Sequence, residues 1–196
     1  MIEKERLKKI LFFLWEVEKL KLVERIIYLS DKKRLENTAE HTWHLALFLV
    51  LIYKDLWVEF DLGKTLKMIL IHDLPEIDVW DIFTWDEKEK IEKHNKERIA
   101  AKRIFAILPK DLAKEYYELY IEYEKGQTVE AKIAKWLDKL QYFIQYNCWW
   151  WLENYKYIRP TEDTKNYATP HTNHNQIMTQ MLEILIEWVK KIRWEK

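Results

Sequence analysis

The chain has 196 residues, enough for one domain around one sizeable core. It is 48% hydrophobic and 34% charged, with 33 basic and 33 acidic side chains; this is a globular composition, and zero net charge argues against a general nucleic-acid or membrane-surface binder. Two glycines in the whole chain, Gly63 and Gly126, exclude glycine-rich phosphate loops and dinucleotide fingerprints, and with four prolines the composition favours long helices over sheet.

The first segment, residues 2–20, repeats apolar side chains at helical spacing: Ile2, Leu7, Ile10, Leu11, Leu14, Val17 and Leu20. Its start is charged with both signs and does not read as a secretory signal. A less regular stretch follows, ERIIYLSDKKRLENT. The next helix has a clear start: Asn37 can cap it, and Glu40 three residues on completes a capping-box pattern. That helix runs to about Trp57, is apolar nearly all round, and is expected to be central and buried. Its apolar run, Leu45 to Tyr53, is nine residues, well short of the roughly 20 that a membrane-spanning helix needs.

A third helix, about 62–74, ends at Asp73-Leu74-Pro75. A polar and aromatic loop, EIDVWDIFTWD, comes next. Helices are expected over 87–107, stopped by Pro109; over 111–125, ended by Gly126; over 129–152; and over 173–194, with Asn173 as a possible cap. Residues 153–172, with Pro160 and Pro170, read as an irregular excursion. The fold class is therefore all-α, one domain of about seven helices spanning 1–196. The single cysteine, Cys148, excludes an internal disulfide and fits a reducing, cytoplasmic setting.

Four places put ligand-type side chains into otherwise apolar helices: His41, the doublet His72-Asp73, Glu76 with Asp81 just after it, and Asp138. Singly, each has a plain reading. A lone buried histidine is usually a hydrogen-bonded core residue, and Asp138 has Lys135 and Lys139 as salt-bridge partners. Together they make a mixed nitrogen and oxygen set suited to one divalent ion such as Mn²⁺, Fe²⁺, Co²⁺, Zn²⁺ or Mg²⁺. Four protein ligands leave positions for water and a substrate oxygen, which is an open, catalytic arrangement.

The order H…HD…D resembles the HD-domain metal-dependent phosphohydrolases. The strings LKLVERIIYL, RLENTAEHTWHLALF, LKMILIHDLPEIDVWD and AKWLDKLQ narrow the resemblance to the subgroup that includes the 5′-deoxynucleotidases, over roughly residues 18–150. The resemblance implies a helical HD-domain bundle with residues 173–194 packed on it. His41, His72, Asp73 and Asp138 match the metal ligands, and Glu76 and Asp81 match acidic residues beside the metal. Arg25 falls near a substrate-contacting arginine. The implied reaction is hydrolysis of (deoxy)nucleoside 5′-monophosphates. Glu76 would orient or deprotonate the water, Asp81 would serve the leaving oxygen or the sugar, and Arg25 or Lys139 would offset phosphate charge. Two positions depart from the pattern: Trp80 precedes Asp81 where a glycine is common, and Ile26 follows Arg25 where the nucleotidases carry a tryptophan.

The expected partners are a small nucleotide and a second copy of the chain, with no nucleic acid and no membrane. His44, three residues after His41, is expected to support the site from behind. His171 and His174 read as surface residues, and the run Trp149-Trp150-Trp151 as core and interface packing. Two rivals stand beside this reading. One is an HD-type hydrolase of nucleoside triphosphates or other phosphoesters. The other is a non-catalytic helical protein stabilised by metal, against which Glu76 and Asp81 speak.

Overall fold

The computed structural model describes residues 3–79, 87–147 and 175–194. Helix α1 (Lys4–Val17) passes into a 3-10 turn, Glu18–Leu22, and then into two short antiparallel strands, β1 (Glu24–Tyr28) and β2 (Leu35–Asn37). Helices α2 (Thr38–Ile52), α3 (Leu62–Ile71), the single turn α4 (Glu76–Val79), α5 (Glu87–Phe105), α6 (Lys110–Lys125), α7 (Val129–Asn147) and α8 (Gln176–Trp194) follow. Among the described residues, no helix is long and apolar enough to cross a membrane.

The architecture is all-α apart from the hairpin, which stands where the sequence shows only an irregular stretch. Glu24 pairs with Asn37 and Tyr28 with Leu35, with an irregular register between them. The turn closes through Leu29 N–H to the Arg34 carbonyl at 3.0 Å and Lys32 N–H to the Leu29 carbonyl at 2.9 Å. Lys32 takes a positive φ of 62° there, without the asparagine or glycine that usually announces such a turn.

Helix α2 begins as its sequence dictates. The Asn37 side chain accepts the Glu40 backbone N–H at 3.0 Å, and the Glu40 carboxylate accepts the Asn37 N–H at 3.1 Å. Arg34 pairs with that same carboxylate. The helix stops at Ile52, short of Trp57, and is not buried all round. Leu45 and Leu49 are fully enclosed, whereas Trp43, Leu47, Val50 and Leu51 face outward. An apolar run cannot show by periodicity that one of its faces lacks a covering element.

Helix α7 is the axis of the core and packs against α2, α3, α6 and α8. Its buried face carries Ile133, Trp136, Leu137, Leu140 and Phe143, which meet Leu45, Leu49, Met68, Ile69 and Tyr120 in one cluster. Each such enclosed side chain stabilises the fold by about 1.5–3 kcal/mol. Gly126 ends α6 in the left-handed conformation, φ 61°. That backbone favours glycine, and the aliphatic stem of Lys135, 3.2 Å from where a Cβ would stand, would have to shift by a few tenths of an ångström to admit another residue. The possible cap Asn173, along with Cys148, Trp149 to Trp151, the 153–172 segment, His171 and His174, lies outside the described residues.

Candidate metal centre

Three helices and the hairpin deliver polar side chains to one buried point. His41 comes from the first turn of α2, where the capping box fixes the helix start. His72 is the C-cap of α3, and Asp73 follows it in the turn that Pro75 enforces. Asp138 projects from α7. His41 is fully buried, the His72 side chain nearly so, and the two carboxylates sit at the edge of solvent with 17% (Asp73) and 14% (Asp138) of their side chains exposed.

The contacts are close. His41 Nε2 lies 3.2 Å from Asp138 Oδ1 and 3.7 Å from Asp73 Oδ2, while His72 Nε2 lies 3.0 Å from Asp73 Oδ2. The two imidazole centroids are 5.8 Å apart, and Tyr123 packs edge-on against His72 at 5.0 Å. Ligand atoms of His41, His72 and Asp138 all fall within 4.8 Å of one another.

The tautomers decide what these atoms offer. His72 Nδ1 is 2.8 Å from the Ile69 carbonyl. A carbonyl only accepts, so Nδ1 carries the hydrogen and Nε2 is left with a lone pair. His41 Nδ1 faces the side-chain oxygen of Gln141 at 3.0 Å, with the same consequence. His41 Nε2, His72 Nε2 and Asp73 Oδ2 are buried and make no hydrogen bond. Buried lone pairs aimed at one another and at carboxylates are costly unless a cation lies between them.

The spacing fits such a cation. Ligands about 2.1 Å from an octahedral ion lie about 3.0 Å from their neighbours and about 4.2 Å from their opposites. The observed separations of 3.0, 3.2 and 3.7 Å are of that size. The donor set of two imidazoles oriented from behind and two carboxylates therefore fits one divalent metal ion and could hold it.

Electrostatics prepare the same chemistry. Burial lowers His41 below the ordinary histidine value, with Arg25 adding to the shift, so it is neutral and able to ligate. Burial works against the Asp73 carboxylate, but His72, His41 and Arg25 hold it down at about 2. Burial also opposes ionisation of Asp138, yet Lys139, 2.6 Å from Asp138 Oδ2, and His41 keep it well below the usual carboxylate range. His72 is raised: burial would lower it, and the neighbouring Asp73 overcomes that.

The other residues expected at the site are distributed as follows. Glu76 is buried at the start of α4, its N–H bonded to the Asp73 carbonyl at 3.0 Å, and its carboxylate accepts the Thr38 hydroxyl at 3.1 Å. Thr38 stands one helical turn before His41, so the same turn of α2 positions both. Arg25, on β1, lies between Asp73 (3.7 Å) and Glu36 (3.4 Å), with its side chain 16% exposed. Lys139 is on the Asp138 carboxylate, as its neighbouring position allows. Asp81 lies outside the described residues.

Four participants escape a reading of the sequence: Thr38, Glu36, Gln141 and Gln145, all buried. Glu36 is pushed up to about 7 by burial, against the pull of Arg25. The one available signal was on α7, where Gln141 and Gln145 follow Asp138 at spacings that keep them on its face. His44 lies 3.4 Å from Gln141 Nε2, which places it behind His41 as its spacing implied.

A second gathering of ligand-type residues, His94, Glu97 and Glu124, lies where α5 meets α6. His94 is half exposed, and Lys93 already sits 3.5 Å from Glu97. It is a surface ion-pair group.

Comparison with known proteins bears on the fold and the family. A family model described as HD domain matches residues 17–185. The human protein named 5′-deoxynucleotidase HDDC2 is 35% identical over 139 residues, 70% of this chain and 67% of its own length. Its bovine counterpart is 36% identical over 149 residues, 75% of this chain and 71% of its own. A crystal structure from Magnetospirillum magnetotacticum MS-1, described as a predicted metal-dependent phosphohydrolase, is 32% identical. It superposes with a TM-score of 0.84, covering 95% of this chain and 97% of that one.

Proposed function

The chain belongs to the HD-domain family and is a metal-dependent phosphohydrolase, and we propose that its substrates are (deoxy)nucleoside 5′-monophosphates, hydrolysed to nucleoside and inorganic phosphate. The observation that carries this reading is the convergence of His41, His72, Asp73 and Asp138 on one point, with a half-shielded arginine beside it. The names of the curated relatives support the nucleotide class.

In this reading His41 Nε2, His72 Nε2 and the carboxylates of Asp73 and Asp138 would hold the ion, which when bound would supply a water of lowered pKa and a Lewis acid for a phosphate oxygen. The rest of the work falls to this chain's side chains. Arg25 is anchored by Glu36 and Asp73 with its edge toward solvent, and it binds the incoming phosphate dianion by charge-assisted hydrogen bonds. Lys139 shares its charge between Asp138 and the phosphate. Glu76 accepts the proton of the attacking water. Its carboxylate is held in one orientation by the Thr38 hydroxyl, so it does not have to reorganise during the reaction.

A phosphate-release panel tests the proposal, run with Mn²⁺, Co²⁺ and Mg²⁺ over deoxynucleoside and nucleoside mono- and triphosphates. Turnover of monophosphates at least about tenfold above triphosphates is expected. Release only from triphosphates, or none at all, would replace this reading. With Ile26 beside Arg25, the ratio of deoxyribose to ribose substrates in the same panel reports sugar selectivity.

We also propose that the chain works as a homodimer. Leu11, Phe12 and Trp15 on α1, and Trp43, Leu47 and Leu51 on α2, are large apolar side chains left exposed, and such side chains are the usual material of a protein–protein interface. Sedimentation at twice the chain mass is expected; a single monomeric species at micromolar concentration contradicts it.

A further inference from the structure

We infer that Gln141 is a positioning residue for the metal site: with Gln145 it transmits the polarity of a backbone carbonyl in β1 to the imidazole of His41, and so selects the tautomer that can bind metal. The inference rests on the metal reading above and adds to it the device that prepares its most buried ligand.

The argument runs along hydrogen bonds whose direction is forced one after another. Gln145 Nε2 lies 3.4 Å from the Tyr28 carbonyl at the end of β1. A carbonyl oxygen only accepts, so the Gln145 amide must present its NH₂ there. Its oxygen then faces α7's preceding turn, where it lies 2.8 Å from Gln141 Nε2. Gln141 must therefore donate in that direction. It also donates to Glu36 Oε1 at 3.2 Å, and a flipped amide would set its oxygen against that of Gln145. With the amide fixed, Gln141 Oε1 points at His41 Nδ1, 3.0 Å away. His41 Nδ1 has to carry the hydrogen, and Nε2 is left as a bare lone pair aimed at Asp138 and Asp73.

The alternative tautomer has a clear competitor's advantage that this chain of bonds removes. With the hydrogen on Nε2, His41 would donate to Asp138 Oδ1 at 3.2 Å and form a closed pair that excludes a cation. Gln141 denies Nδ1 the role of acceptor. Both glutamines are buried, with 1% of Gln141 and 8% of Gln145 exposed, so water cannot take over the part. The same network ties β1 and β2, which carry Arg25 and Glu36, to the helix that carries Asp138 (Gln141 is one turn further along). Partners of this kind behind a ligating histidine typically change metal affinity by about 10–100-fold.

One variant and two measurements test this. Gln141→Met keeps the shape and removes both polar atoms. Nitrogen-15 spectra of the imidazoles in metal-free protein report the tautomer directly. The expected result is His41 with its hydrogen on Nδ1 in the wild type and a loss of that preference in Q141M. Calorimetric titration with Mn²⁺ is expected to show binding weakened about 10–100-fold in Q141M. A wild-type His41 with its hydrogen on Nε2 overturns the inference even if Q141M fails to fold. So does a folded Q141M that binds Mn²⁺ within twofold of wild type, and in that case the metal reading survives. A wild-type protein that binds no Mn²⁺ overturns the metal reading itself, and this inference with it.

Discussion

Asp73→Ala is expected to abolish metal binding and to cut phosphate release by about 10³-fold or more. The Asp73 carboxylate lies close to both imidazoles, 3.0 Å from His72 and 3.7 Å from His41. The carboxylate is also held at about 2, against the effect of burial, by His72, His41 and Arg25 beside it. Without it, both imidazoles lose a close anionic neighbour, and Arg25 loses one of its ion-pair partners. The loss should not be a loss of fold. Asp73 stands in a turn at the edge of solvent, away from the cluster around Trp136, so circular dichroism and the melting transition in chelator should stay close to wild type. Retained turnover in Asp73→Ala would remove the assignment of the site.

Glu76→Gln separates catalysis from metal binding. The amide is nearly the same shape and its oxygen can still accept the Thr38 hydroxyl, so the side chain should remain where it is. What disappears is the ability to take a proton. Loss of a general base costs about 10²–10⁴-fold in kcat, with Mn²⁺ affinity and KM changed by no more than a few-fold. Equal losses in metal affinity and kcat would instead make Glu76 a part of the ion's coordination. A variant with normal kcat would remove Glu76 from the role of base.

The parts of this molecule that follow from local rules were open to reading from the sequence. Asn37 and Glu40 announced the start of α2, Gly126 the end of α6, and the order of His41, His72-Asp73 and Asp138 a set of ligand-type side chains that the fold brings together. Each of these is a relation between residues a few positions apart, or a set of side chains with few other uses in an apolar helix. The hairpin was hidden because its strands are short, carry charges, and turn at Lys32 and not at a glycine. The half-exposed state of α2 was hidden because a run of apolar residues has no empty side to read. Glu36, Gln141 and Gln145 were hidden for a different reason. Their role lies in bonds across about 100 residues of sequence, 105 between Gln141 and Glu36 and 117 between Gln145 and Tyr28, and an amide in a helix has no distinctive chemistry until its partners are known.

The central claim is that His41, His72, Asp73 and Asp138 hold one divalent ion where phosphate is cleaved. Diffraction from crystals grown with Mn²⁺, collected on both sides of the manganese absorption edge, tests it most directly. The account predicts a strong anomalous peak about 2.0–2.4 Å from His41 Nε2, His72 Nε2 and carboxylate oxygens of Asp73 and Asp138. A featureless map at that point, or a peak confined to His94, Glu97 and Glu124, would contradict it.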